Sequence, residues 1–388
     1  MQDLKVIVIG AGIGGLAAAI ALSQAGFGVE IYDRVQELRP VGAGISLWSN
    51  GVKVLNRLGL GQEIAAIGGP MRQMQYRWMD GALLNDISLE PLIKSVGQPP
   101  YPVARAALQT MLMRAYVAQS SDAVRLGHDC VAIEETENQV IATFSNGVQA
   151  QGDLLIVANG MRSNLREYVL GHPLLPKYAG YVNWNGLVDA SAALAPKNTW
   201  MIYVGNHQRA SMMPVADDRL YFFFDMPLDP VPESQDYRAE LSHYFQGWAE
   251  PVQQLIAACD PGNMARLAIH DVGPIDRLVR GKVALIGDAA HTTCPDLGQG
   301  GCQALEDAWV LVESLVVNNL GVEDALERYE ARRLDRVNSL VNKARARAEM
   351  IHGHNPAVTQ QWYEQLSTES PSDVTDAIAK TILTGVLH

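Results

Sequence analysis

One stretch near the start, from Lys5 to Asp33, leaves this chain very few folds to adopt. Lys5–Ile9 (KVIVI) is a short β-branched run. It leads into Gly10-Ala11-Gly12-Ile13-Gly14-Gly15 and then into the Ala-rich segment Leu16–Gln24, which stops at Gly26. The first run suits a parallel strand buried on both faces, and the Ala-rich segment suits a helix. Val29–Tyr32 (VEIY) reads as a second strand, so a βαβ unit of about thirty residues opens the chain. In this glycine spacing Gly10 allows a tight turn, Gly12 lets the backbone approach a pyrophosphate, and Gly15 permits close packing of helix on strand. The helix N-terminus offers unpaired N–H groups and a partial positive charge to phosphate. Asp33 closes the second strand, where a carboxylate accepts from a ribose 2′-hydroxyl. A glycine-rich turn without a ligand would need neither the flanking elements nor the acid. Asp33 favours a free ribose hydroxyl, as in FAD or NAD. Arg34 either pairs near the adenosine or is simply solvated.

Bulk properties set the remaining bounds. A chain of 388 residues that is 48% hydrophobic can bury a large core and is long enough for two lobes. A net charge of -12 argues against a nucleic-acid partner, because phosphate backbones demand clustered Lys and Arg. An anionic small molecule stays compatible, since one local Arg can outweigh a distant acidic surface. Cys130, Cys259, Cys294 and Cys302 show no CxxC pairing and no zinc spacing. They read as scattered thiols in a reducing compartment. The start, MQDLK, lacks the positive n-region of a signal peptide. The uncharged stretch Val6–Leu22 approaches the length of a membrane span, but glycines interrupt it, so strand, turn and helix fit it better. A soluble, cytoplasmic protein with no membrane partner is expected.

Further along, Asp153–Ala158 (DLLIVA) and Lys282–Ile286 (KVALI) repeat the buried-strand style. Between them, residues 178–188 (YAGYVNWNGLV) and 219–226 (RLYFFFDM) alternate and are rich in aromatics, which suits a broad antiparallel sheet. Long helices are predicted from Glu306 to about Gly353. The expected architecture is α/β: a Rossmann-type FAD-binding domain (residues 1–72, 101–175 and 265–388, including C-terminal helices) interleaved with a β-rich substrate domain (73–100 and 176–264). Pro227, Pro230 and Pro232 mark a loop. The basic run Arg328–Arg347 reads as a solvated, ion-paired helix face. His291 reads as a packed residue. His352-Gly353-His354 lacks a nearby Cys or carboxylate, so no metal is assigned.

A second motif separates FAD from NAD. Gly287-Asp288-Ala289-Ala290-His291 follows the strand KVALI, and Pro295-Asp296-Leu297-Gly298-Gln299-Gly300-Gly301 comes shortly after. A dehydrogenase that binds only NAD has no use for this far half. FAD extends well beyond its pyrophosphate, and Asp288 can accept from a ribitol hydroxyl. Gly298–Gly301 open a helix (CQALEDAWVL) whose amides can face the flavin pyrimidine edge and stabilise negative charge on a reduced flavin.

These motifs (GAGIGG at 10–15, Arg105 in PVARAALQ, and GDAAH…PDLGQGG at 287–301) resemble the single-component flavoprotein hydroxylases related to para-hydroxybenzoate hydroxylase. The resemblance implies that Arg105 contacts the cofactor, that Asp288 holds the ribitol, and that NADH or NADPH reduces the flavin without a second Rossmann domain. One departure stands out. The family's Asp-Gly before an Arg-Ser pair is here Asn159-Gly160-Met161-Arg162-Ser163. Asn keeps the turn geometry but loses the charge.

VGAGISLWSNGVKVLNRLG, YAGYVNWNGLV, RLYFFFDMPL, YFQGWAEPVQQLIAACDP and CPDLGQGGCQALEDA are more closely similar to the bacterial FAD-dependent urate hydroxylases. That similarity implies that Asn183, Arg209 and Tyr221 meet urate, and that Asp296, Gly298, Gln299 and Gly300 bind it as well. It also implies that Arg209 and Tyr221 act catalytically. It implies that FAD is lined by Gly10, Gly12, Gly14, Gly15, Asp33, Arg34, Ser46, Arg105, Cys130, Asp288, Gly298, Gln299, Gly300, Gly301 and Cys302. The implied reaction takes urate and O2 through a flavin hydroperoxide to 5-hydroxyisourate in purine breakdown. The residue types suit an anionic ring with a row of acceptors and donors. Arg209 offers a planar fork whose charge favours further proton loss from the ring. Tyr221 donates and accepts, and Asn183 presents both groups. Without the resemblance, Arg209 would read as an ion-pair or surface group, Tyr221 as core and Asn183 as a turn residue. Hydroxylation of another small ring, such as a hydroxybenzoate or salicylate, is the alternative function. A non-oxygenating FAD-binding protein is the second alternative. Oligomeric state stays open.

Overall fold

The computed structural model describes residues 4–38, 43–120, 123–229, 236–318 and 320–383. Its first layer is a five-stranded sheet in the order Val279–Arg280, Val283–Leu285, Leu154–Val157, Lys5–Ile9 and Gly28–Tyr32. The central pairs are parallel, with Val6 opposite both Leu154 and Val29. Leu154 to Val157 and Val6 to Val8 are fully buried, as strands covered on both faces should be. The glycine turn leads into a helix that begins at Ile13 and ends at Gln24, earlier than the Ala-rich run suggests. Gly14 and Gly15 therefore sit in its first turn, where a missing side chain allows close approach to the strand. This helix packs on a second one, Gly300–Leu315, which opens within Gly298–Gly301 as the sequence indicates. Among the described residues, no helix is long and apolar enough to cross a membrane.

The second layer is a seven-stranded sheet. Its order is Ala265–Asp271, Lys177–Asp189, Arg219–Pro227, Gln208–Val215, Thr199–Gly205, Gln73–Trp78 and Leu83–Ser88. All neighbours are antiparallel except Thr199–Gly205 with Gln73–Trp78. Pro227, expected in a loop, is instead the last residue of a strand, opposite Tyr181. Pro230 and Pro232 lie outside the described residues. Side chains alternate between faces with a period of two, and here that alternation divides the work. Trp184, Ala210, Met212, Phe222 and Phe224 point to one face, where they join Leu241, Phe245, Trp248, Val252 and Leu255 in a separate core. Residues 183, 185, 209, 213, 221, 223 and 225 occupy the other face, which looks toward the first layer.

The helix Val322–His352 bears out the ion pairing expected of its basic run but not its solvation throughout. Arg328 is exposed, but Arg333 is fully buried and Arg336 is nearly so. Arg333 donates to Glu306 (2.6 Å), Asp307 (2.7 Å) and the Gln303 side chain (2.7 Å), while Arg336 donates to Glu306 (2.7 Å). The periodicity that marks a charged face cannot show that a second helix carries two buried carboxylates opposite it. Burial opposes ionisation of Asp307, yet His291 and Arg333 outweigh it and hold the carboxyl at about 2. Asp307 also accepts from the Gly287 N–H (2.8 Å), and Glu306 from Asn50 (2.7 Å). Removing one partner of a buried ion pair leaves the others uncompensated. Arg333→Leu is therefore expected to cost about 3–5 kcal/mol of stability, whereas Arg328→Leu should stay within about 0.5 kcal/mol. Denaturant unfolding of the two variants beside the parent checks this, and equal midpoints would show that the network contributes nothing.

Candidate functional site

The two layers enclose a cavity of about 350 Å³, a size common among small-molecule sites. Its floor comes from the first layer and is built around the glycine turn. A Cβ on Gly15 would fall 1.9 Å from the Gly10 carbonyl, whereas a Cβ on Gly12 would meet no atom within 4 Å. Packing therefore explains Gly15 but not Gly12, whose open side faces the cavity. Space reserved at a helix N-terminus is what a pyrophosphate needs. Farther along, Gly14, Ser46, Arg105, Asp288, Gly298, Gly300 and Gly301 also line the cavity, with the Asp288 carboxylate exposed. The helix Gly300–Leu315 begins here with Gln299 as its N-cap. A long lining of amides, one free carboxylate and one arginine fits FAD, whose two ends need both separated motifs.

The roof comes from one register. Asn183 lies opposite Asp225, and Asp225 lies opposite Arg209, so three adjacent strands place the three residues in a row. Two residues along, Asn185 and Phe223 form the next row, and Tyr221 with Met213 the one after. Arg209 donates to Asp225 from Nε (2.9 Å) and from one terminal nitrogen (2.6 Å). The same terminal nitrogen reaches Asp296 at 2.9 Å. Asn183 donates to the other Asp225 oxygen (2.6 Å) and accepts from Asn185 (2.7 Å). The Arg209 guanidinium lies over the Phe223 ring at 5.0 Å. Burial works against the charge on Arg209, but Asp225 and Asp296 outweigh it and raise its pKa. For the Tyr221 hydroxyl, burial and Asp225 raise the pKa against the opposing pull of Arg105 and Arg209. Tyr221 is therefore protonated at neutral pH.

The remaining residues named from the sequence fall elsewhere. Asp296 does not line the cavity; its carboxylate is buried behind Arg209 and accepts a hydrogen bond from the Tyr181 hydroxyl. Gln299 is buried, its side-chain oxygen held by Asn50 (2.9 Å) and Gln303 (3.0 Å). Cys302 packs against Gly51 and Trp48, and burial pushes its thiol up to about 12. Asp33 accepts from the Ala11 N–H (2.7 Å) and Val35 N–H (3.1 Å), which ties it to the glycine turn, and Arg34 is exposed beside it. Burial pushes the Cys130 thiol up to about 11, and the Cys130 carbonyl accepts from Asn164 (2.8 Å). Its thiol donates to the Ala132 carbonyl (3.5 Å), and Cys130 is not among the residues that line the cavity.

Asp225, Asn185 and Tyr181 were not anticipated. Asp225 has a signal in retrospect: a carboxylate at period two from Tyr221 and Phe223 in an aromatic strand shares their face. Its presence also changes the reading of Arg209. Two carboxylates already compensate that guanidinium, so it does not bring an unbalanced positive charge to a substrate.

The chain matches the family model described as FAD binding domain over residues 3–344. It is 48% identical to the FAD-dependent urate hydroxylase of Klebsiella pneumoniae subsp. pneumoniae over 99% of this chain and all of that protein. It is 44% identical to the FAD-dependent urate hydroxylase of Mycolicibacterium vanbaalenii, covering 99% of this chain and 98% of the relative. The crystal structure of Klebsiella pneumoniae HpxO complexed with FAD and uric acid superposes with a TM-score of 0.95 at 47% identity, covering 99% of this chain and 98% of that one. The chain belongs to the FAD-binding domain family, among the flavoprotein monooxygenases that include the FAD-dependent urate hydroxylases.

Proposed function

We propose that this protein hydroxylates urate to 5-hydroxyisourate, with FAD as cofactor, NADH or NADPH as electron donor and O2 as the oxygen source. The observation that carries the reading is the cross-strand row Asn183–Asp225–Arg209 above a floor built for a dinucleotide. When bound, FAD supplies the oxygen chemistry. The residues of this chain do the rest. Arg209 presents its second terminal nitrogen, which has no hydrogen-bond partner among the described residues, as a donor to an acceptor edge of the ring. Asp225 and Asp296 fix the plane of that guanidinium, so the donor is oriented before substrate arrives. Tyr221 adds a protonated hydroxyl at the same cavity, and Asn183 a half-engaged amide. Met213, Phe223, Leu267 and Ile269 line the cavity with apolar surface and exclude water. Arg105 and Asp288 contact the cofactor in this reading, with Asp33 at its adenosine end. We also place the enzyme in the cytoplasm, on the pattern of four cysteines that are all free and buried.

The direct test is to purify the protein and look for released FAD, then to assay NADH oxidation with urate and with hydroxybenzoates or salicylate. Yellow protein whose NADH oxidation and oxygen transfer respond to urate is expected. Colourless protein that cannot be reconstituted, or a response confined to phenols, would refute the assignment.

Arg209→Gln keeps one donor but leaves Asp225 and Asp296 uncompensated beside an anionic ring. A hydrogen bond to a charged group is worth roughly 1.5–3 kcal/mol, so urate hydroxylation should fall about tenfold or more. NADH consumption should persist while hydrogen peroxide rises. Measuring all three in one reaction, with FAD content confirmed, decides it; tight coupling in the variant would remove Arg209 from the substrate site.

Asn159 tests the departure from the family pattern. Its Nδ2 donates to Asn164 Oδ1 (3.1 Å), while its own Oδ1 is buried without a hydrogen-bond partner. In Asn159→Asp the new carboxylate faces the Asn164 oxygen, and turning that amide would sacrifice its bond to the Cys130 carbonyl. The fold should survive, and the rate of flavin reduction should change more than urate affinity does. Rapid mixing with NADH measures this, and an unchanged rate would mean that the position is only a turn.

A further inference from the structure

Behind Arg209 lies a buried histidine that the reading above leaves unused. His352 ends the helix Val322–His352 and is 3% exposed. Its Nδ1 is 2.9 Å from the His207 carbonyl. A carbonyl only accepts, so Nδ1 carries the ring hydrogen and Nε2 carries a lone pair. Nε2 has no hydrogen-bond partner, yet it lies 3.8 Å from Asp296 Oδ1. A lone pair thus faces a buried carboxylate, with no hydrogen between them. The ring is stacked on Tyr181, centroids 4.3 Å apart and planes 22° apart. Tyr181 in turn donates to the other Asp296 oxygen.

The charges around this gap do not balance. Arg209 is shared by Asp225 and Asp296, which leaves one negative charge over. An anionic ring placed beside Arg209 would add another. The groups that face His352 are Asp296 from the Pro295–Leu297 turn, Asp225 and Arg209 from the two roof strands, Tyr181 from the strand Lys177–Asp189, and the His207 carbonyl from the hairpin turn. His352 is the one among them that has both a vacant proton position and a carboxylate to bond with it.

We propose that His352 is a positioning residue that takes up one proton from solvent when the anionic substrate binds. Protonated, Nε2 donates to Asp296 and balances the charge that the substrate adds. Nδ1 meanwhile stays on the carbonyl of His207, in the turn two residues before Arg209. One ring then braces both supports of the guanidinium, the hairpin and the carboxylate. The inference rests on the reading of this cavity as the urate site.

The sign follows from the surroundings. In the free protein burial lowers the His352 pKa from its ordinary value, outweighing Asp296 and Asp225, so the ring is neutral near pH 7. A nearby anion raises that pKa. Between the free and bound values the complex holds one more proton than the free protein, and affinity for urate falls about tenfold for each unit of rising pH.

The test is calorimetric titration of urate into the oxidised, FAD-loaded enzyme near neutral pH, in two buffers of different ionisation heat. The parent should take up close to one proton per urate bound. His352→Gln keeps an N–H for the His207 carbonyl but cannot titrate. Its uptake should fall to near zero and its urate affinity should lose its pH dependence. Binding without proton uptake in the parent, or equal uptake in His352→Gln, overturns the proposal. If that variant loses FAD or melts early, Tyr181→Phe serves in its place. It removes a hydrogen bond from Asp296, which strengthens the carboxylate's hold on the proton, so uptake should extend to higher pH. An unshifted profile overturns the proposal. A parent that binds no urate at all overturns the urate assignment instead, and this inference with it.

Discussion

Everything at the proposed substrate site hangs on one guanidinium held between two carboxylates. Arg209 comes from a roof strand, Asp225 from the neighbouring strand and Asp296 from the turn that precedes the glycine loop. That pair of contacts is therefore also a tie between the two layers. It draws the seven-stranded sheet onto the loop 298–301, which forms part of the floor. A lone buried arginine would be costly, and a lone pair of buried carboxylates more so. Together they form a rigid unit, and the rigidity is what a substrate donor requires.

The floor is braced from behind by a second ionic cluster. Asp307 accepts from the Gly287 N–H, and Asn50 links Glu306 to Gln299, so both cavity-lining loops end on two adjacent buried acids. Arg333 then satisfies those acids from the helix Val322–His352, which also packs against Asp288–His291 and Pro295–Leu297. The two clusters share a logic. Loops bearing glycine cannot be held by their own side chains, so buried charged groups on neighbouring elements hold their backbone or their few polar residues. Such clusters order a site more than they stabilise a chain.

Much of this was legible in the residues. Strand, glycine turn, helix and Asp33 announced the nucleotide-binding layer, because each is a local requirement with its own residue type. GDAAH and PDLGQGG separated a long cofactor from a short one. Arg209, Tyr221, Asn183 and Asp296 were named from resemblance, and the structure brings all four to one neighbourhood. It does not give them one job: Asp296 stands behind Arg209 rather than in the cavity. The basic face of the helix Val322–His352 was misread as solvated throughout because its charges repeat at helical spacing whether their partners are water or buried acids.

Local chemistry is what the sequence determines alone: where backbone must bend, where a helix N-terminus opens, which strands are buried and which alternate. Those properties depend on neighbours along the chain. Charge balance does not. Asp225 lies 16 positions from Arg209, and Asp296 lies 87, and neither distance says that they share one guanidinium. His352 met Asp296 only after a helix from the first layer and a hairpin from the second converged on one turn. Pairing of buried charges is set by strand register and layer packing, so only the tertiary structure decided which groups at this site are charged, which are compensated and which still lack a proton.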